Sequence, residues 1–193
     1  MNTSTTPPVR RNRTMLLAIV GIFLGTLLLA GALRFSGWHP AATQAHGELL
    51  QPPGDLRTLT PLQADGRAYH WNPTQRTWRI ALAPAADCAE ACVKLARQLS
   101  TVWQLMGQES DRVQVLWIGQ PPAGGAGFGA LHVIQPTAAL LAGLPRHGPA
   151  PGEDPRGVPV FIVDPNGFVI LRYAPGSDPV GLRADLAKLL KLM

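Results

Sequence analysis

The feature that most constrains this chain is an unbroken apolar run near its start. Residues Met15 to Leu33 read MLLAIVGIFLGTLLLAGAL, 19 positions without a charge, with Thr26 the strongest polar side chain. As a helix rising 1.5 Å per residue, such a run reaches about 28 Å, close to the roughly 30 Å hydrocarbon core of a bilayer. Arg10, Arg11 and Arg13 stand just before it. Cations flanking a span stay on the cytoplasmic side. Residues 1–14 are therefore expected in the cytoplasm, 15–33 across the membrane, and everything after Leu33 on the far side. A cleavable signal peptide is the rival reading, because Ala30-Gly31-Ala32 has the small-x-small form of a cleavage site. The apolar core exceeds the usual length of about 7–15 residues for a signal, which favours a retained anchor. Both readings place the rest of the chain outside the cytoplasm. Trp38 suits the membrane interface, and Gly21 and Gly25, although spaced as GxxxG, are read as ordinary helix glycines.

The net charge of +5 raises the question of nucleic acid. Lys and Arg are scattered after Arg13, however, and no basic patch interleaved with aromatics is visible, so no nucleic-acid partner is expected. The chain has two cysteines, Cys88 and Cys92. They are too close in sequence to staple a large loop, so their value lies in chemistry and not in architecture.

Residues 34–57 are rich in Pro, Gly and small side chains and read as a tether; residues 58–193 read as the folded domain. Asp65-Gly66 marks a turn between Leu59–Leu62 and Ala68–Trp71. Thr77–Leu82 is a short β-prone run. Asp87 then opens a helical pattern in which Asp87 is the expected N-cap and Glu90 completes a capping-box spacing. Cys88, Cys92, Leu95, Leu99, Val102, Trp103 and Met106 recur at three- and four-residue steps and form one buried face. Strands are expected at Val113–Ile118, Leu131–Gln135, Val158–Val163 and Phe168–Tyr173, with a short helix over Thr137–Leu144 and a terminal helix from Asp178. The order β, α, β, a variable segment, β-hairpin, α predicts an α/β fold: a central mixed sheet flanked by helices, parallel in one part and antiparallel at one edge.

Cys88-Ala-Glu-Ala-Cys92 falls where a strand hands over to a helix N-terminus. Unpaired N–H groups and the positive end of the helix dipole stabilise a thiolate there. The thiolate is the form that attacks disulfides and binds soft metals such as Cu(I). Asp87 and Glu90 oppose its formation by repulsion. Three intervening residues put both sulfurs on one side of the helix, and closure to a disulfide becomes easy if Cys88 lies just outside the regular turn. The bland alternative is a pair of buried core cysteines.

Strand, small-residue loop, CxxxC, helix, and then an Asp164-Pro165-Asn166-Gly167 hairpin and terminal helix together resemble the Sco/SenC branch of the thioredoxin superfamily. That resemblance implies a thioredoxin-like sandwich on a bacterial inner-membrane anchor, with the domain in the periplasm. It also implies a role in cytochrome c oxidase assembly by thiol–disulfide exchange or Cu(I) handling, with an oxidase subunit or another assembly factor as client. Cys88 would be the attacking thiol and Cys92 the resolving one, making the chain a candidate thiol-disulfide oxidoreductase. Gly157-Val158-Pro159 resembles the cis-proline segment of thioredoxins, so Pro159 joins the site, with a cis bond as the hypothesis. The family's third copper ligand, a histidine, has no counterpart around Asp154–Val158. His147 is the nearest, in a Pro/Gly-rich loop, and reads more simply as a solvated histidine. His39, His46, His70 and His132 are read as surface or interface residues. Two alternatives stay open: a membrane-tethered scaffold with incidental cysteines, and a reductant for cytochrome c maturation.

Overall fold

Alternating side-chain direction divides the strands of this protein between two core layers. In Trp78–Leu82, residues Trp78, Ile80 and Leu82 join one core layer, while Ala81 joins the other, the period-2 pattern of a sheet buried on both faces. The computed structural model describes residues 9–36, 45–85, 87–123, 127–148 and 150–192. Trp38 and His39 lie outside them. The chain forms two compact units, residues 1–44 and 45–193.

In the first unit, helix α1 (Val9–Phe35) contains one segment, Arg13–Phe35, long and apolar enough to cross a membrane. Thr26 satisfies its hydroxyl within the helix, donating to the Phe23 carbonyl at 2.9 Å.

In the second unit, a six-stranded sheet carries two layers of core. Its strands are β1 (Glu48–Asp55), β2 (Trp78–Leu82), β3 (Val113–Ile118), β4 (Leu131–Ile134), β5 (Val160–Val163) and β6 (Phe168–Tyr173), in the order β1-β6-β5-β2-β3-β4. β2, β3 and β4 run parallel, whereas β5, β6 and β1 pair antiparallel. This is the mixed sheet expected from the element order. Helices α2 (Ala89–Gln104) and α4 (Pro179–Leu190) cover one face, burying Ala96, Leu99, Val102, Leu182 and Leu186 against Ile80, Val115, Trp117 and Ile162. The short helix α3 (Ala138–Ala142) and the chain before β2 cover the other, with Leu56, Tyr69, Leu140 and Leu144 against Phe161 and Val163.

Two expectations need correction. The tether does not extend to residue 57, because Glu48–Asp55 is the edge strand β1. Asp87 is not the N-cap of α2: Cys88 holds that position, no side chain caps the helix, and the capping box is not formed. Asp178, by contrast, caps α4 at the helix start expected from the sequence, its carboxylate accepting from the Val180 N–H at 2.9 Å.

Candidate thiol site

Cys88 and Cys92 form a disulfide with their Cα atoms 5.4 Å apart. Closure follows from position. Cys88 is the half-in residue at the start of α2, and Ala89, the first helical residue, has a φ of +38°. That left-handed value is unusual for a residue with a Cβ. Cys92 is one turn on, its N–H donating to the Cys88 carbonyl at 3.3 Å. Both are buried, but unequally: Cys88 is 9% exposed and Cys92 3%. Asp87 and Glu90 are exposed to solvent.

Cys88 opens into a cleft of about 920 Å³ beyond the C-terminal ends of β2, β3 and β4, where Pro84, Ile118, Gln135, His147, Arg156 and Pro159 also contribute walls. Ligands in open α/β sheets gather at such strand ends. The structure therefore brings together all four predicted residues only in part: Cys88, His147 and Pro159 line the cleft, whereas Cys92 sits behind Cys88 in the core. The Val158–Pro159 bond is trans, contrary to the hypothesis; among the described residues the cis bond is Gln51–Pro52. Pro159 is buried just ahead of β5.

Sequence reasoning missed what holds the loop of His147. Arg172, in β6, has a side chain 2% exposed. It donates through Nη1 and Nη2 to the two carboxylate oxygens of Glu153, at 2.8 and 2.7 Å. Its Nε donates to the Arg146 carbonyl at 3.1 Å and Nη2 also to the Gly148 carbonyl at 3.3 Å, the residues on either side of His147. The Glu153 carboxylate also accepts from the Ala150 N–H. Hydrogen bonds from Arg172, and then from Ala150, pull the Glu153 pKa down to about 2. A charged residue inside the apolar strand FVILRY was the available signal.

A second missed cluster fixes the start of the domain. Asp185 of α4 is 3% exposed and accepts from the backbone N–H groups of His46 (2.6 Å) and Gly47 (3.2 Å) and from the Tyr173 hydroxyl (2.8 Å). His46 Nδ1 lies 3.1 Å from its other oxygen. Burial raises the pKa of Asp185, but the bonds from His46, Tyr173 and the two amides outweigh it and the net shift is downward. His46 thus ties the start of the unit to α4 while its side chain stays 55% exposed. His132 is half-buried, 3.1 Å from Gln63 Oε1, and burial followed by the charges of Arg79 and Arg67 lowers its pKa.

A three-donor copper site does not emerge from these residues. Among the described residues no group of three His, Cys, Asp or Glu side chains gathers as ligands, and the second sulfur is in the core. The arrangement fits two-sulfur chemistry better than a preformed metal cage.

A mixed sheet with a disulfide at the N-terminus of its first flanking helix defines a protein of the thioredoxin fold. The chain belongs to the family described as transmembrane-like, thioredoxin-like, C-terminal domain, whose model matches residues 78–193, more than half of the chain. Among solved structures it is similar to BsSco, described as a member of the Sco family of cytochrome c oxidase assembly proteins with a disulfide switch. The identity is 12%, over 76% of this chain and 98% of that one, with a TM-score of 0.52. Apo Sco1 of Thermus thermophilus is 17% identical over 80% of this chain and all of its own (100%), TM-score 0.51. Yeast Sco1 with copper bound is 13% identical over 79% and 96%, TM-score 0.51. The likeness at these identities is one of fold, and it bears out the expected thioredoxin-like frame. No curated protein matches the chain in sequence.

Proposed function

We propose that this protein is a membrane-anchored, extracytoplasmic thiol–disulfide exchange factor in the assembly of cytochrome c oxidase. The observation that carries the reading is the disulfide at the start of α2, with Cys88 opening into a cleft and Cys92 behind it. In the reduced form the Cys88 thiolate, favoured by the N-terminus of α2, attacks one sulfur of a client disulfide. The client S–S bond breaks, its other sulfur leaves as a thiolate, and a mixed disulfide with Cys88 forms. Cys92 then attacks the Cys88 sulfur, restoring the intramolecular disulfide and releasing the client as a dithiol. Exchange in the opposite direction passes through the same intermediate. The oxidase context comes from fold neighbours of the Sco family. Arg10, Arg11 and Arg13, in the first turns of α1 and ahead of its apolar run, support the outward orientation of the domain.

The test is a pair of single variants in cells that make the oxidase. Cys92→Ser should accumulate a Cys88-linked mixed disulfide, resolved by reductant, and Cys88→Ser should not. Oxidase assembly that proceeds normally with both cysteines changed to serine would sink the proposal and leave the scaffold reading.

A further inference from the structure

We propose that the outer face of α2 and α4 is a docking surface for an anionic lipid bilayer. Between the helices runs an open groove of about 620 Å³ whose walls include Lys94, Arg97, Leu105, Val180 and Arg183. Lys94, Arg97 and Arg183 are exposed, and none forms an ion pair with a described residue. Glu90 is the one carboxylate among the lining residues, so cations outnumber anions three to one. Beside them Leu105 is 60% exposed and Val180 68%, large apolar side chains that the fold leaves in water. Cations around protruding apolar side chains are the composition of an interfacial surface: the charges meet lipid phosphates and the apolar groups reach the acyl boundary.

The chain's own connectivity selects the membrane over a protein partner. Nine residues, 36–44, separate the end of α1 from the second unit. The chain enters that unit against α4, one of the two helices that form the groove. His46 and Gly47 are bonded to Asp185, and a Cβ at Gly181 would stand 2.7 Å from that of His46. A short linker raises the effective concentration of bilayer around the entry point, so weak individual contacts suffice. Groove and cleft share no lining residue. The inference is independent of the thiol chemistry.

The test uses the full chain in nanodiscs that carry a gadolinium-labelled lipid headgroup, with methyl signals of Leu and Val as the readout. In discs of phosphatidylcholine with phosphatidylglycerol, Leu105 and Val180 should broaden while Leu62, exposed outside the groove, stays sharp. In phosphatidylcholine alone the broadening should fall. The variant Lys94→Glu/Arg97→Glu/Arg183→Glu should lose at least about a hundredfold in the docked-to-free ratio, at roughly fivefold per cation removed. Its unfolding temperature should be unchanged, since all three side chains are exposed. Broadening that is uniform over the domain, or that survives the triple charge reversal, overturns the proposal. Sharp Leu105 and Val180 signals in anionic discs overturn it too and would turn attention to an acidic protein partner.

Discussion

Arg172 offers the sharpest test of how the cleft is built. Changing it to Met keeps much of its apolar length and removes the guanidinium. Four hydrogen bonds go: two to Glu153, one to the Arg146 carbonyl and one to the Gly148 carbonyl. Removing one partner of a fully buried pair costs about 3–5 kcal/mol, and this pair is only partly buried. Glu153 is 18% exposed and keeps the Ala150 N–H, so its carboxylate can rehydrate and the loss belongs at the low end, about 3 kcal/mol. At about 2–4 °C per kcal/mol for a chain of this size, the unfolding temperature should fall by about 6–12 °C. Calorimetry of the full chain in detergent measures that shift, and hydrogen exchange shows where it acts. Amides of residues 146–153 should open before the strands do. The double variant Arg172→Met/Glu153→Leu removes both charges and should recover more than half of the stability, yet leave the His147 loop exchanging fast. A single variant costing less than about 1 kcal/mol, or a loop no more open than in the wild type, would falsify the clamp.

The remaining expectations concern pH, redox and metal. The Glu153 pKa is depressed to about 2 from its ordinary value of 4.5, so its contribution is complete above pH 4.5 and is lost as pH falls from there through 2. Acid unfolding curves of Glu153→Gln and wild type should therefore converge across that window, and parallel curves would refute the assignment. Ala89→Gly should lower the reduction potential of the Cys88–Cys92 pair by about 20 mV, because relieving a left-handed Ala in the oxidised form gains roughly 1 kcal/mol. A potential that rises in a glutathione titration would show that the strain is not confined to the oxidised state. Competition of the reduced protein with a chromogenic chelator should give Cu(I) binding that needs both cysteines and is unchanged in His147→Ala. A loss of tenfold or more in that variant would instead make His147 a ligand.

The fold was legible wherever one local signal sufficed. Short apolar, β-prone runs located β2, β3 and β5, the spacing of Cys92, Leu99 and Val102 gave the buried face of α2, and Asp164–Gly167 gave the turn. In that turn the Asp164 carboxylate accepts from the N–H groups of Asn166, Gly167 and Phe168, and Gly167 takes a φ of +105°. The failures have physical causes. Strand β1 contains Pro52, Pro53 and Gly54, which read as breakers, but an edge strand spends only one side on hydrogen bonds and tolerates proline. Gly54 is there because its backbone packs closely on the Gly143 carbonyl and Val169. Asp87 had the right spacing for a cap, but the link between Cys88 and Cys92 sets the helix start one residue later.

The site was half legible for a related reason. Cys88 and Cys92 are neighbours in sequence, so their chemistry could be read from spacing alone. The groups that give the cleft its shape meet only after folding. Arg172 reaches back 26 residues to Arg146 and 19 to Glu153, and Asp185 reaches 139 residues back to His46. Apart from Arg172 inside an apolar strand, these groups look like ordinary surface residues in a linear reading. Burial changes that, because an ion inside the sheet layer must find every partner it needs, and in doing so it fixes the loop that carries them. Arg172 thereby turns a Pro/Gly-rich segment, which by composition reads as solvated, into a wall beside Cys88. The wall then stands or falls with one guanidinium, and the alkylation rate of reduced Cys88 should follow the state of the Arg172–Glu153 pair more closely than it follows the identity of residue 147.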